Sequence, residues 1–228
     1  MITDPFAIKK YPKWHPLRVA FTVKARLLDR EARLNFNKYK LPEILLPNLP
    51  SSPELDDLST AVTSLQMQHL LSALSATEHL KNTVVVEVGS YRGVTTQVLA
   101  KATSRKVIAV DPYIGYGGSD RDYHCFQKNT LGLSNVIHER MTSGEAVKTW
   151  QHGPVSLVFI DALHNYVNTY FDIKAWSSLT IENGILAMHD TDQYCFAGTR
   201  KAVFKTCKAA ELFAHPDNLT LVHAQKVS

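Results

Sequence analysis

A run of valines that ends in two closely spaced glycines constrains the fold of this chain more than any other feature. Residues 84–88 read V-V-V-E-V, and a β-branched apolar run of this kind is typical of a strand buried on both faces. Gly89 and Gly93 then bracket a tight turn, and residues 94–102 continue with helical spacing. A buried strand, a glycine turn and a helix predict the first half of a nucleotide-binding βαβ unit.

The spacing of the glycines indicates which kind of nucleotide the turn suits. A dinucleotide fingerprint needs G-x-G-x-x-G, because the backbone must approach a pyrophosphate, but here Tyr91 and Val94 take the second and third glycine positions. Glu87 adds a carboxylate that would repel a pyrophosphate, so a nucleoside with a cationic tail fits better. The next strand ends in Asp111, 18 positions after Gly93, where such folds hold a ribose hydroxyl.

The remainder of the core alternates between the two kinds of element. We expect strands near 83–88, 106–111, 135–139, 155–161 and 184–189, and helices near 94–103, 121–131, 143–150, 166–178 and 197–209. This alternation predicts an α/β fold with a Rossmann-like, doubly wound and mostly parallel sheet, covered by helices on both faces. The C-terminal stretch predicts two short strands joined by a Pro-Asp-Asn turn.

The N-terminal part differs in composition. Seven of the ten prolines precede residue 54, so we expect residues 1–53 to form a helical appendage and residues 54–228 to form the main domain. Pro5, Pro12 and Pro16 are predicted to keep the first turns extended. A helix is expected over 17–39, an irregular connector over 42–53, and one or two helices over 55–80.

The same part carries the charge. Residues 1–40 hold ten Lys or Arg against three Asp or Glu, and a basic arm of this kind suits nucleic acid, a membrane surface or an acidic partner. The basic residues alternate with apolar ones, such as Leu17, Val19, Phe21, Val23 and Leu27. We therefore favour an amphipathic helix with a solvated basic face.

Composition excludes several classes of protein. No apolar run is long enough to span a bilayer, and the first residues lack the apolar segment of a signal peptide. The three cysteines form no C-x-x-C pair, which argues against a disulfide framework or a structural zinc. A cytoplasmic location is expected.

Four motifs resemble those of class I S-adenosylmethionine (SAM)-dependent methyltransferases. E-V-G-S-Y-R-G at 87–93 and V-I-A-V-D at 107–111 match the first two motifs of that class. F-I-D-A-L-H-N-Y at 159–166 and I-L-A-M-H-D-T at 185–191 resemble the small-molecule O-methyltransferase branch. That branch includes macrocin-type sugar enzymes and, more distantly, the metal-dependent catechol type. The resemblance implies a seven-stranded sheet with one antiparallel strand.

The resemblance also implies a set of residues that bind the cofactor. They are Glu87, Gly89, Ser90, Gly93, Asp111, Tyr113, Ser143 and Asp161. Asp111 would accept hydrogen bonds from the ribose hydroxyls, and the two glycines would let the cofactor approach the backbone. Ser143 would contact adenine or cap a helix. Tyr113 would pack on adenine or fill the core.

Glu87 and Ser90 are expected near the methionyl end of SAM. A second group of candidate residues follows the fourth and fifth core strands. Asp161 and Asp190 would lie on adjacent strands about 4.8 Å apart, where two carboxylates repel unless they share a proton or a cation. Mg²⁺ or Mn²⁺ is the natural compensation. The catechol-type pattern places the third ligand at Thr191, with Asp192 or His189 as alternatives, although that type has Asn there.

His164 follows Asp161 by one helical turn, at a position where macrocin-type relatives have a base. Asp161 and His164 are therefore the predicted catalytic residues. The sequence predicts transfer of a methyl group from SAM to a hydroxyl of a small molecule, such as a sugar, a phenol or another natural product. We expect no nucleic-acid or membrane partner and leave a homodimer open.

Three other functions compete with methyl transfer to a small molecule. A nucleic-acid methyltransferase would be expected to carry an Asn/Asp-Pro-Pro-aromatic run where this chain reads D-A-L-H-N-Y. A nicotinamide oxidoreductase is opposed by the glycine spacing. A non-catalytic SAM-binding or interaction protein stays open at the level of the sequence.

Overall fold

The computed structural model describes residues 4–51, 53, 60–115, 118–208 and 212–227, and one seven-stranded sheet forms its centre. The strands are β1 (Val84–Val88), β2 (Val107–Val110), β3 (Val136–Glu139), β4 (Val155–Ile160), β5 (Thr180–His189), β6 (Leu212–Ala214) and β7 (Leu219–His223). Their order is β3-β2-β1-β4-β5-β7-β6, and β7 is the one strand that runs opposite to the other six. The predicted α/β sheet, its strand number and its single antiparallel strand are confirmed.

Eight α-helices are present in the described parts of the chain. They are α1 (Pro5–Lys9), α2 (Pro16–Leu34), α3 (Ser64–Ala76), α4 (Val94–Ala102), α5 (Asp120–Asn129), α6 (Ser143–Lys148), α7 (Tyr166–Ser177) and α8 (Ala197–Thr206). Each of the five predicted core helices is found within a few residues of its expected bounds. Of the helices expected over 55–80, α3 is the one described, while 54–59 lie outside the described residues.

The valine run of β1 explains why both faces of the sheet are covered. Successive side chains of a strand point to opposite faces. Val86 therefore packs with Trp176 of α7 on one face, whereas Val85 packs with Leu70 of α3 and Leu99 of α4 on the other. All five side chains are fully buried, and burial of each is worth roughly 1.5–3 kcal/mol.

The first prolines start helices, so the prediction of extended backbone at Pro5 and Pro16 is wrong. Proline suits the first helical position, because its missing N–H is not needed there and its φ is already helical. Asp4 caps α1 by accepting a hydrogen bond from the Phe6 amide, at 2.8 Å. His15 caps α2 in the same way through Nδ1.

Helix α2 packs on α7 and α8, but its outer face differs from the predicted solvated basic face. Ala32 is fully buried, and Phe21, Ala25 and Leu28 are partly buried on the inner side. Other apolar side chains of the helix are exposed to solvent: Leu17, Val19, Val23, Leu27 and Leu34. The helix therefore has apolar residues on two opposite faces.

The connector after α2 carries little regular structure, as predicted. A 3-10 turn spans Phe36–Tyr39, and Ile44 then forms an isolated antiparallel bridge with His215. Leu41 is buried in the core, so the N-terminal segment packs directly on the main domain. Among the described helices, none is both long and apolar enough to cross a membrane.

Candidate active site

A cavity of about 330 Å³ lies at the carboxyl ends of β1, β2 and β4. Strands β1 and β4 are neighbours in the sheet. The strands after β1 lie on one side of this pair and the strands after β4 on the other, and open α/β sheets bind ligands at such a switch point. Most of the predicted cofactor residues line this cavity: Glu87, Gly89, Ser90, Gly93, Asp111, Ser143 and Asp161. Tyr113 is not among its lining residues.

The two glycines of the turn are required by the packing of the protein itself. Gly89 has φ +93°, and a Cβ there would lie 2.2 Å from the carbonyl oxygen of Asp161. Gly93 has φ +75°, and its Cβ would lie 2.7 Å from the Phe126 ring. Both residues keep the turn after β1 free of side chains at the cavity wall.

Asp111 is held in one orientation by two backbone amides. Its Oδ2 accepts a hydrogen bond from the Tyr91 amide at 3.0 Å, and its Oδ1 accepts one from the Tyr113 amide at 2.9 Å. Burial raises the pKa of this carboxyl, and the two amide bonds oppose that shift. Tyr113 itself packs against Tyr123 and Phe126, so it fills the core beside the cavity.

Glu87 lies in the cavity wall with almost no exposure to solvent. Thr96 Oγ1 donates a hydrogen bond to its Oε2. Burial raises the pKa of Glu87 well above its usual range, and the nearby charges of Asp161 and Asp111 raise it further. A cationic group bound in the cavity would favour the ionised form of this carboxyl.

Ser143, at the start of α6, is engaged by two buried side chains. Its Oγ donates to Asp172 Oδ1 at 2.5 Å and accepts from Trp176 Nε1 at 2.9 Å. Burial raises the pKa of Asp172 to about 7, although the Ser143 hydrogen bond opposes this. Asp172 and Asn168 both line the cavity from α7.

The register of the sheet decides which residues meet at the ends of β4 and β5. Ile160 pairs with Met188, so Asp161 lies beside His189, and Asp190 comes one residue later. Asp190 has φ +56°, which turns the backbone at this point. Its Oδ1 accepts from Asn218 Nδ2 at 2.7 Å, while its Oδ2 lies 3.3 Å from His164 Nε2.

Two histidines bridge the carboxylates of Asp161 and Asp190. His164 Nε2 lies 3.1 Å from Asp161 Oδ1, and His189 Nδ1 lies 3.1 Å from the same oxygen. One ligand atom from each of these four residues lies within 4.8 Å of the others. Burial alone would raise the pKa of Asp161, but the His189 charge and the hydrogen bond from His164 hold it well below its usual range.

The protonation of His189 follows from its second nitrogen. Gln66 Nε2 donates to the Asp217 carbonyl, so Gln66 Oε1 faces His189 Nε2, at 3.0 Å, and must accept its hydrogen. His189 Nδ1 is buried and has no directed hydrogen bond, although it faces Asp161. Burial would lower the pKa of His189, but the carboxylates of Asp161 and Asp190 raise it to about 10. Nδ1 therefore carries a proton unless another cation takes its place.

The other candidates for the third metal ligand contact residues outside this cluster. Thr191 Oγ1 accepts a hydrogen bond from Thr220 at 3.0 Å. Asp192 pairs with Arg200 at 3.2 Å and with His215 at 2.8 Å. Of the alternatives proposed from the sequence, His189 is the one that lies beside both carboxylates.

Several residues of the cavity were missed by sequence reasoning. Phe6, Thr60 and Ala61 line it, and no pattern in the sequence marks them. Asn168 and Asp172 did leave a signal, because they are polar residues at i and i+4 on a helix whose other buried residues are mostly apolar.

A seven-stranded sheet with this strand order, a glycine turn after β1 and an acidic residue after β2 are the features expected of the class I SAM-dependent methyltransferase fold. The comparisons agree with this class. Residues 86–191, a little under half of the chain, match the family model described as "Methyltransferase domain". A search of curated proteins found no match.

Solved structures share the fold at low sequence identity. Cofactor-bound Rv0187 from MTB is 16% identical, with coverage of 89% of this chain and 90% of that one, and a TM-score of 0.56. The O-methyltransferase NovP is 12% identical, with coverage of 89% and 98% and a TM-score of 0.52. CalS11, a TDP-rhamnose 3'-O-methyltransferase of calicheamicin biosynthesis, is 16% identical, with coverage of 71% and 81% and a TM-score of 0.51.

Proposed function

We propose that this enzyme transfers the methyl group of SAM to a hydroxyl of a small molecule, such as a sugar or a phenol. The observation that carries the proposal is a single cavity whose wall holds both Asp111 and the pair formed by Asp161 and His164. A nucleoside and an acceptor can therefore meet in one enclosed space. NovP and CalS11, both O-methyltransferases, support the acceptor class by analogy of fold.

The residues of the cavity fit SAM. The fixed carboxylate of Asp111 suits a pair of ribose hydroxyls, and the bare turn at Gly89 and Gly93 leaves room for the cofactor. The buried carboxyl of Glu87 suits a cationic group. When bound, SAM supplies the electrophilic methyl group.

His164 is the candidate base for the acceptor hydroxyl. An ionised carboxylate can only accept hydrogen bonds, so His164 Nε2 donates its hydrogen to Asp161 Oδ1. That bond leaves the lone pair of His164 Nδ1 free to take a proton. Asp161 then orients the imidazole and stabilises its protonated form, while the cavity orients the acceptor.

The same cluster fits a divalent metal ion. Asp161, His189 and Asp190 would hold it, which leaves His164 as the base, and the buried Nδ1 of His189 faces the site with its tautomer set by Gln66. A histidine nitrogen beside two carboxylates favours Mn²⁺ over Mg²⁺, which prefers oxygen ligands alone. A bound ion would lower the pKa of an acceptor hydroxyl.

Variants of His164 and Asp161 test the proposal. His164→Ala should lower turnover by about 10²–10⁴-fold and leave the affinity for S-adenosylhomocysteine unchanged, because His164 serves as the base. Asp161→Asn should lower both turnover and Mn²⁺ affinity. His124→Ala is the matched control, since His124 is exposed and bonds only a backbone carbonyl.

The assay combines methyl transfer to a panel of sugars and phenols with calorimetry. Full activity in excess chelator would remove the metal from the mechanism and leave His164 as the base. Full activity of His164→Ala would refute the base as well. Methylation of RNA or DNA, without transfer to any small molecule, would replace the proposed acceptor class.

A further inference from the structure

The outer face of α2 carries an apolar stripe. At 3.6 residues per turn, Ala20, Val23, Leu27 and Leu34 lie along one line of the helix, opposite the buried Ala32. From Ala20 to Leu34 the stripe is about 21 Å long. Seven of the twelve exposed large hydrophobic side chains in the described chain lie between positions 11 and 34, so this surface is a concentration of apolar residues.

The unpaired charged groups beside the stripe are basic. Lys24 lies on one flank of the stripe and Arg26 and Arg30 on the other, and none of these three forms an ion pair within the described residues. Glu31 lies on the same flank as Lys24, and both acidic residues of α2 are engaged by other parts of the chain. Asp29 accepts a hydrogen bond from the Tyr166 amide, and Glu31 pairs with Lys201.

Charge argues against an antiparallel second copy of this chain as the occupant. Antiparallel helices bring like flanks together, so Arg26 and Arg30 would face the same two residues of the copy. Like charges at these flanking positions oppose helix pairing.

Nucleic acid would use the charges but would leave the apolar stripe in water. Most contacts with nucleic acid go to phosphates, and those contacts require no exposed leucines. Trp14, next to α2 and 78% exposed, is likewise left without a role by such a partner.

We propose that the outer face of α2, together with Trp14, binds the surface of an anionic lipid membrane. A helix that lies in the membrane interface carries apolar residues on the face that enters the lipid and Lys or Arg beside it, and α2 has Val23, Leu27 and Leu34 on such a face. Trp14 is exposed two residues before the helix begins. The proposal goes beyond methyl transfer and does not depend on it. The expectation of no membrane partner rested on the lack of a spanning segment, which a surface-bound helix does not need.

The face also lies close to the cavity. Phe6 of α1 lines the cavity, and α1 packs against α2. A membrane bound to α2 would therefore lie about one helix away from the methyl-acceptor site.

Sedimentation with vesicles tests the proposal on the full chain. The protein should bind vesicles that contain phosphatidylglycerol and not those of phosphatidylcholine alone, and salt should weaken the binding. Leu27→Glu should lower partitioning by about tenfold or more, because it removes buried apolar surface. Arg26→Gln and Arg30→Gln should each lower it by about fivefold. Leu131→Glu, at a site 84% exposed in another part of the chain, is the control and should change nothing.

Fluorescence gives a second readout. The emission of Trp14 should shift to the blue on binding, and the shift should be lost in Trp14→Phe. No binding to anionic vesicles would overturn the proposal. So would a dimer in solution that Leu27→Glu dissociates without any vesicle binding, or binding to RNA that the arginine variants abolish while vesicles are ignored.

Discussion

Replacing Asp172 by asparagine should make the protein more stable at neutral and alkaline pH. Asp172 is 4% exposed, and burial raises the pKa of its carboxyl to about 7 from its usual value of 3.8. The neutral amide keeps an oxygen for the hydrogen bond from Ser143 Oγ and removes the charge that the site tolerates poorly.

The size and the sign follow from the linkage between protonation and folding. A pKa raised from 3.8 to about 7 means that ionised Asp172 costs the folded protein up to about 4 kcal/mol. Because the folded pKa is raised, the unfolded chain loses the proton first. The contribution of Asp172 is therefore fully present below about pH 4 and is lost progressively as the pH rises to about 7.

Urea unfolding of the two proteins measures this difference. We expect Asp172→Asn and the wild type to differ little at about pH 4, and the variant to be more stable by up to about 4 kcal/mol at about pH 8. Glu182→Gln, which removes an exposed carboxylate, should show no such pH-dependent difference. A constant difference between Asp172→Asn and the wild type at all pH values would refute the reasoning.

Two further variants test the cofactor site and the turn. Asp111→Asn should weaken the binding of S-adenosylhomocysteine by about 10–150-fold, because charge-assisted hydrogen bonds worth about 1.5–3 kcal/mol are lost; unchanged affinity by calorimetry would contradict the ribose assignment. Gly89→Ala should lower the unfolding free energy by more than Gly153→Ala. Both glycines have φ near +90°, but a Cβ at Gly89 would lie 2.2 Å from a backbone oxygen, whereas a Cβ at Gly153 would meet open space. Backbone strain alone costs roughly 1–3 kcal/mol, so equal losses in the two variants would show that the contact with Asp161 is relieved.

The fold could be predicted from the sequence because its signals are local. The β-branched run at 84–88, the glycines that follow it and the alternation of strands and helices each depend on neighbouring residues. The errors in secondary structure arose where one residue type suits two backbone conformations. Proline was expected to keep the chain extended, and at Pro5 and Pro16 it starts helices instead.

The outer face of α2 could not be predicted for a related reason. Periodicity shows that a helix has apolar residues, and with apolar residues on two faces it does not show which face is buried. The choice depends on the contacts with α7 and α8, which are distant in the sequence. As a result, Phe21 and Leu28 are partly buried while Val23 and Leu27 are exposed.

The active site shows the limit of reasoning from strand ends. Asp161 and Asp190 were expected to face each other across adjacent strands, with a shared proton or a cation to relieve their repulsion. The strands are adjacent, but the register puts His189 beside Asp161, and the positive φ of Asp190 turns that residue back towards Asn218 and His164. The compensating charge is therefore available from the imidazole of His189 itself, whose pKa the two carboxylates raise to about 10. Repulsion between the two carboxylates thus does not by itself require a metal ion, and the case for one depends on the donor atoms of the cluster and on the chelator experiment.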